Sequence, residues 1–164
     1  MKTAPVAGRL VPMLLAFLAV LVPSTIALGH HGFHGRYDLS RPVWIEGVVA
    51  RSYFGNPHSV LTVEVAVDLR LPEALPTLGP AASFLNVAAL HVPSGLPGQT
   101  VQLEWPPTPQ YSSLGGRISV GDRIAAVAIR NCEPPHQLNV QWLHLADGGV
   151  ESRRAPMSYM VQQC

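Results

Sequence analysis

Five consecutive residues, His30-His31-Gly32-Phe33-His34, hold three of the chain's seven histidines. Neutral imidazole is the commonest protein ligand for transition metals, so the cluster is where metal chemistry would start. If a leader is cut away immediately before it, the new α-amine of His30 and that residue's own imidazole can chelate one ion as a pair. A further imidazole from His31, His34 or His58 would complete an all-nitrogen set. Such a set suits Cu(II), with Zn(II) as the next candidate. The α-amine titrates near about 7.7–8.0, so a metal could displace its proton at neutral pH. The competing reading makes His30, His31 and His34 solvated residues of a flexible end, with Gly32 and Gly35 loosening it. His58 would then be a turn histidine beside Pro57. His91, His136 and His144 lie by prolines or in a strand pattern and read as structural.

Other chemistry is sparse. No G-x-S-x-G serine, HExxH pair, phosphate-binding glycine loop or dinucleotide fingerprint occurs. Glu46 and Glu64 fall on adjacent expected strands and could pair for acid–base work, although solvent-facing charges on a sheet are the simpler reading. Trp44, Trp105 and Trp142 could form a stacking platform for sugars or bases, or simply pack the core and its rim.

What precedes the histidines would place them. Residues 1–9 carry Lys2 and Arg9 without an acid, the run 10–22 is apolar, and Ala27-Leu28-Gly29 offers small residues for a cut. That is the order of a secretory leader, expected over 1–29, with cleavage after Ala27 as the competitor. The apolar run is shorter than the roughly 20 residues a membrane span wants, so no stable span is expected after processing. Removing 1–29 takes away Lys2 and Arg9 and leaves nine arginines against ten acids. That balance gives no basic face for nucleic acid. Cys132 and Cys164 are the only cysteines. An exported chain meets an oxidising compartment, so a disulfide between them is expected. Free thiols or a thiolate metal site are the alternatives, without the CxxC spacing that would favour them.

The remainder, 30–150, reads as one β domain. Val43–Arg51 is a β-branched strand, with Trp44, Glu46 and Val48 on one side and Val43, Ile45 and Val49 on the other. Gly47 suggests a bulge or tight bend there. Phe54-Gly55-Asn56-Pro57-His58 is a turn. Leu61–Asp68 alternates strictly, with Leu61, Val63, Val65 and Val67 pointing inward. The proline- and glycine-rich excursion 70–98 reads as an insertion or surface loop with one short helix near 80–89. Val101–Trp105, Ile124–Arg130 and Leu138–Leu145 are further strands. Ala146–Val150 is a hairpin-type turn, and 151–164 a partly ordered C-terminal tail. Five or six strands with one interrupted by glycine predict an all-β fold, specifically a small OB-like barrel, with a small β-sandwich as the rival.

His30-His31-x-Phe33, the Pro42-Val43-x-Ile45-x-Gly47-x-Val49 strand, Asn56-Pro57-His58 and Val120-Gly121-Asp122 occur in that order. Together they resemble an uncharacterised family of small exported bacterial proteins, a domain of unknown function. Its members typically open with His-His-Ser-Phe after a signal peptide and carry an Asn-Pro-His turn between the first two strands. The likeness covers most of 30–68 and 101–150. Gly32 in place of serine, the 70–98 excursion and the cysteine pair depart from it. The resemblance implies a periplasmic β domain and lends no catalytic residues.

The expected function is a periplasmic or secreted binding or accessory module that takes copper or zinc through its N-terminal histidines. The alternative is a structural or interaction domain that docks a protein of the cell envelope without metal. A copper-dependent enzyme ranks third, because no second catalytic group accompanies the histidines.

Overall fold

Apolar residues at every second position make Ser59–Val65 (β2) a strand with Leu61, Val63 and Val65 buried and Glu64 in water. The computed structural model describes residues 35–106 and 108–164; the expected leader and His30, His31 and His34 lie outside them. The other elements are β1 (Tyr37–Tyr53), β3 (Thr100–Trp105), a helical turn α1 (Pro109–Ser112), β4 (Arg123–Asn131), β5 (Leu138–His144), β6 (Val150–Ser152) and β7 (Met160–Val161).

The fold is all-β, as expected, and its strands form one sheet. β1 pairs antiparallel with both β2 and β4, β2 with β3, and β4 with β5. A short parallel seam, Leu103 opposite Leu138 and Glu104 opposite Asn139, joins β3 to β5. The sheet therefore closes on itself as an uneven ring. Register and alternation put Ile45, Val49, Leu61, Val63, Leu103 and Ala126 on its inner face, each fully buried.

β1 is longer than its apolar pattern suggested, because Tyr37 and Asp38 also pair, with β4 on one side and β7 on the other. The expected irregularity at Gly47 lies elsewhere. The register slips between Asp38 and Val43 and between Val49 and Arg51, while Gly47 sits in regular pairing opposite both Val65 and Ile124. Its lack of a side chain answers a close approach: a Cβ there would run into the Glu64 carbonyl and come within 2.7 Å of Val63 Cγ1. Val67, expected inward, is beyond the end of β2 and 83% exposed.

The excursion 70–98 is not a surface loop. Leu78, Ala81, Leu85, Leu90 and Leu96 are buried. The expected helix is replaced by two 3₁₀ turns, Gly79–Ser83 and Val87–Ala89. Prolines punctuate the segment too often for a regular helix, and backbone bonds tie it down instead. Asn86 N donates to Leu39 O, Trp44 N to His91 O, and Ser152 Oγ to Leu78 O. The segment is thus a strap running from β1 to β6. Its buried leucines belong to one core cluster with Trp44, Val127 and Trp142, which lie side by side across β1, β4 and β5. Trp44 and Trp142 stack at 5.9 Å and are each 2% exposed, so they are core and offer no stacking platform. Each leucine so covered contributes roughly 1.5–3 kcal/mol.

Residues 151–164, expected to be a partly ordered tail, are knitted into the sheet. β6 extends β5, β7 runs parallel to the start of β1, and Cys164 is disulfide-bonded to Cys132. Between them Arg153 is buried and bonds Gln141 O through its amide. Among the described residues no helix is long and apolar enough to cross a membrane.

Candidate functional site

His58 ends the β1–β2 turn, and β3 lies beside that end of β2: Ser59 is opposite Trp105 and Val60 opposite Glu104. This brings His58 Nδ1 to 3.5 Å from Glu104 Oε2. Burial pushes the Glu104 carboxyl above the usual carboxylate range, and the adjacent imidazole pulls it partly back. The His58 Nε2 is itself buried. In this conformation one ring nitrogen faces a carboxylate and the other is covered, so metal access to His58 requires the side chain to turn. Glu104 was not legible as its partner, because an acid in an alternating strand reads as solvent-facing.

The carboxylates Glu46 and Glu64 do not form a working pair. Glu46 Oε1 accepts from Trp44 Nε1 at 3.0 Å. Glu64 is exposed opposite Val48, whereas Glu46 lies one pleat further along, beside Ala66.

A cleft of about 490 Å³ opens where the start of β1, the strap, the end of β4 and the β4–β5 loop meet. Its polar lining includes Arg41, His91, Arg130 and His136, with Asp38 beside them and the disulfide in its wall. Each histidine is fixed through Nδ1. That of His91 is 3.1 Å from Pro42 O and that of His136 is 2.9 Å from Asn131 O. A carbonyl can only accept, so Nδ1 carries the proton on the neutral ring and Nε2 keeps its lone pair. His136 has φ of 60°, a conformation uncommon outside glycine, within a turn where Asn131 Oδ1 accepts from Glu133 N. His91 is held by a bridge to Val43. Asp38 turns its carboxylate to Ser40, accepting from that residue's N at 2.7 Å and its Oγ at 2.6 Å. Among the described residues, no carboxylate lies within 4 Å of either Arg41 or Arg130, since the ion pairs involve only His58 and Arg117. The sequence marked His91 and His136 as structural, and their separation along the chain gave no sign that they share a cleft.

The same corner anchors the segment that leads to the histidine cluster. Cys132 N donates to Arg36 O at 2.7 Å, and Gly35, at φ of 85°, sits against the Asn131 amide. His136 bonds the backbone of that same asparagine. Among the described residues, no group of three or more His, Cys, Asp or Glu side chains is placed to hold a metal ion.

A buried cation lies away from the cleft. Arg153, 5% exposed, donates to Asn139 Oδ1 at 3.3 Å, and its guanidinium carbon is 5.8 Å from the Tyr111 ring centroid. It fastens the chain after β6 to β5 and α1. One of two adjacent arginines in a polar stretch, it gave no sequence sign of burial.

No curated protein and no solved structure matches the chain. Residues 18–71 match the profile of a family of unknown function (DUF6152). That stretch holds the His-His-x-Phe start and the Asn-Pro-His turn, while the part of the resemblance placed on 101–150 lies outside it. Over 18–71 the chain is thus similar to an uncharacterised family, and its function has to be argued from its own residues.

Proposed function

We propose that this chain is an exported binding or accessory module, periplasmic or secreted, built as an OB-like barrel and able to take Cu(II) or Zn(II) through His30, His31 and His34. The ring order β1-β2-β3-β5-β4 with a parallel β3–β5 seam supports the barrel, since OB-folds are small, partly open five-stranded Greek-key barrels. The leader-like order of residues 1–29 and the disulfide both suit an oxidising compartment outside the cytoplasm.

The observation that carries the metal reading is the anchored base of the cluster. Gly35, which follows the cluster directly in sequence, is packed against Asn131. The described chain therefore begins at a fixed corner of the ring. His58 joins the set only by leaving Glu104.

The test begins with the N-terminal sequence of the exported protein, followed by titration with Cu(II) and Zn(II). A start at His30 with one equivalent of metal bound, lost in His30→Ala or when one residue is added before His30, supports the reading. Metal uptake no greater than that of a chain lacking residues 30–34 refutes it.

A second reading, docking of an envelope protein, is favoured by Val67, Leu71 and Leu75, which are exposed within one short stretch. Deleting 71–98 cannot test it cleanly, because the strap's leucines belong to the core. Replacing those three exposed residues by serine can: partner capture that survives the change rules this surface out.

A further inference from the structure

We infer that the cleft between the start of β1, the strap and the β4–β5 loop is a binding site for a small carboxylate that also carries hydroxyl or ammonium groups. The inference stands apart from the metal reading, because it uses only described residues and needs no ion.

The argument is one of complementary hydrogen-bonding groups. Arg41 and Arg130 are donors only, always charged, and shaped to grip a carboxylate through two parallel N–H groups. Neither has a carboxylate of the protein within 4 Å among the described residues, and Asp38 accepts both Ser40 bonds through Oδ1 alone. His91 and His136 supply the opposite character. With Nδ1–H committed to Pro42 O and Asn131 O, each neutral ring has an Nε2 that can only accept. A ligand that satisfies all four must offer anionic oxygens to the guanidiniums and O–H or N–H groups to the imidazoles. A plain dicarboxylate satisfies half of the set, and a metal cation would meet two guanidiniums.

The two histidines and the wall of the cleft are also held in place, while Arg41 and Arg130 stand exposed at its rim. A bridge holds His91 to Val43, a tight turn holds His136 in a left-handed conformation, and the Cys132–Cys164 bond forms part of the wall. Preorganised polar groups cost less to order when a ligand arrives. At about 490 Å³ the space falls in the ordinary range for small-molecule sites.

Isothermal titration of the disulfide-bonded exported protein with succinate, malate, tartrate and inorganic phosphate, at about 150 mM salt, tests this directly. Tartrate should bind with a dissociation constant below about 1 mM and at least tenfold more tightly than succinate, which has the same two carboxylates and no hydroxyl. Arg41→Ala with Arg130→Ala should abolish binding of both acids. His136→Asn, which tolerates the left-handed backbone, should erase the preference for tartrate while leaving succinate unchanged. Arg70→Ala, outside the cleft lining, should change nothing. Circular dichroism and thiol titration of each variant establish that fold and disulfide are retained. Any variant that loses either is replaced by the single Arg41→Gln or His91→Gln change, for which the same losses are expected. Equal affinity for succinate and tartrate, tighter binding of phosphate than of either acid, or no binding of any probe at 10-fold above that constant overturns the inference.

Discussion

Replacing Cys132 and Cys164 together by serine should destabilise the protein by roughly 3.7 kcal/mol, from the unfolded-chain entropy released when a loop of this length is opened. The length is set by a separation of 32 residues. Spread over about 130 ordered residues with an unfolding entropy near 2.1 cal/mol/K each, the loss corresponds to roughly 14 °C in Tm. Urea unfolding of the oxidised protein and of the double variant, with heat unfolding alongside, measures both. A local effect should accompany the global one. β7 has only Met160 and Val161 to pair with Tyr37 and Asp38, and Tyr37 N donates to Tyr159 O. Without the bond to Cys164 that short pairing should open ahead of the ring, so the Tyr37 amide should exchange faster than those of β4. The reasoning is refuted if the double variant loses less than about 1 kcal/mol, or if Tyr37 keeps the protection of the β4 amides. Either result would mean that the 150–164 segment is held by packing around Arg153 and Tyr159 alone.

Gly47→Ala should cost at least about 2 kcal/mol in a denaturation series, because the new methyl meets the Glu64 backbone and Val63, neither of which can swing aside. Leu85→Ala should cost about 2–3 kcal/mol by the same measurement, since Leu85 of the strap is only 6% exposed; a loss within 0.5 kcal/mol would show that the strap is dispensable. Burial raises the Tyr37 hydroxyl from 10.0 to about 12. A raised phenol leaves stability intact below the unfolded value and removes it as pH climbs from about 10 through about 12, by roughly 2–3 kcal/mol in full. Tyr37→Phe should flatten that part of the alkaline loss. Tyr111 and Tyr159, also raised by burial, keep the remainder. An unchanged alkaline slope in the variant would place the Tyr37 phenol in contact with water.

Where a strand buries one face, period two made it readable. Ser59–Val65, Thr100–Trp105, Arg123–Asn131 and Leu138–His144 fall within two residues of the expected strands at their starts. The strap was unreadable for the opposite reason. Leu78, Leu85, Leu90 and Leu96 are buried from 3₁₀ turns and loops, which impose no fixed period on their apolar residues, so prolines and glycines dominated the reading. The ends of the ring were hidden too. The pairing of Tyr37 and Asp38 depends in part on β7, a two-residue strand with no pattern of its own. His58 was visible as a polar turn residue, but Glu104 became its neighbour only through the β2–β3 register. The cleft was least legible, because Arg41, His91, Arg130 and His136 are scattered along the chain and meet only once the sheet has closed.

That closure imposes an order on how the protein can be made. A chain emerging end first, from a ribosome or a translocation channel, can pair β1 with β2 and β2 with β3 as they appear. The ring still has a gap until β4 arrives to take the other edge of β1, and it is sealed only when Leu138 and Asn139 reach β3. The strap emerges before β4 and β5, so it has no complete surface to lie on and must wait. Shortened chains ending before residue 138 should therefore remain open-edged and prone to associate, and the last quarter of the synthesis decides whether the first three quarters become a protein.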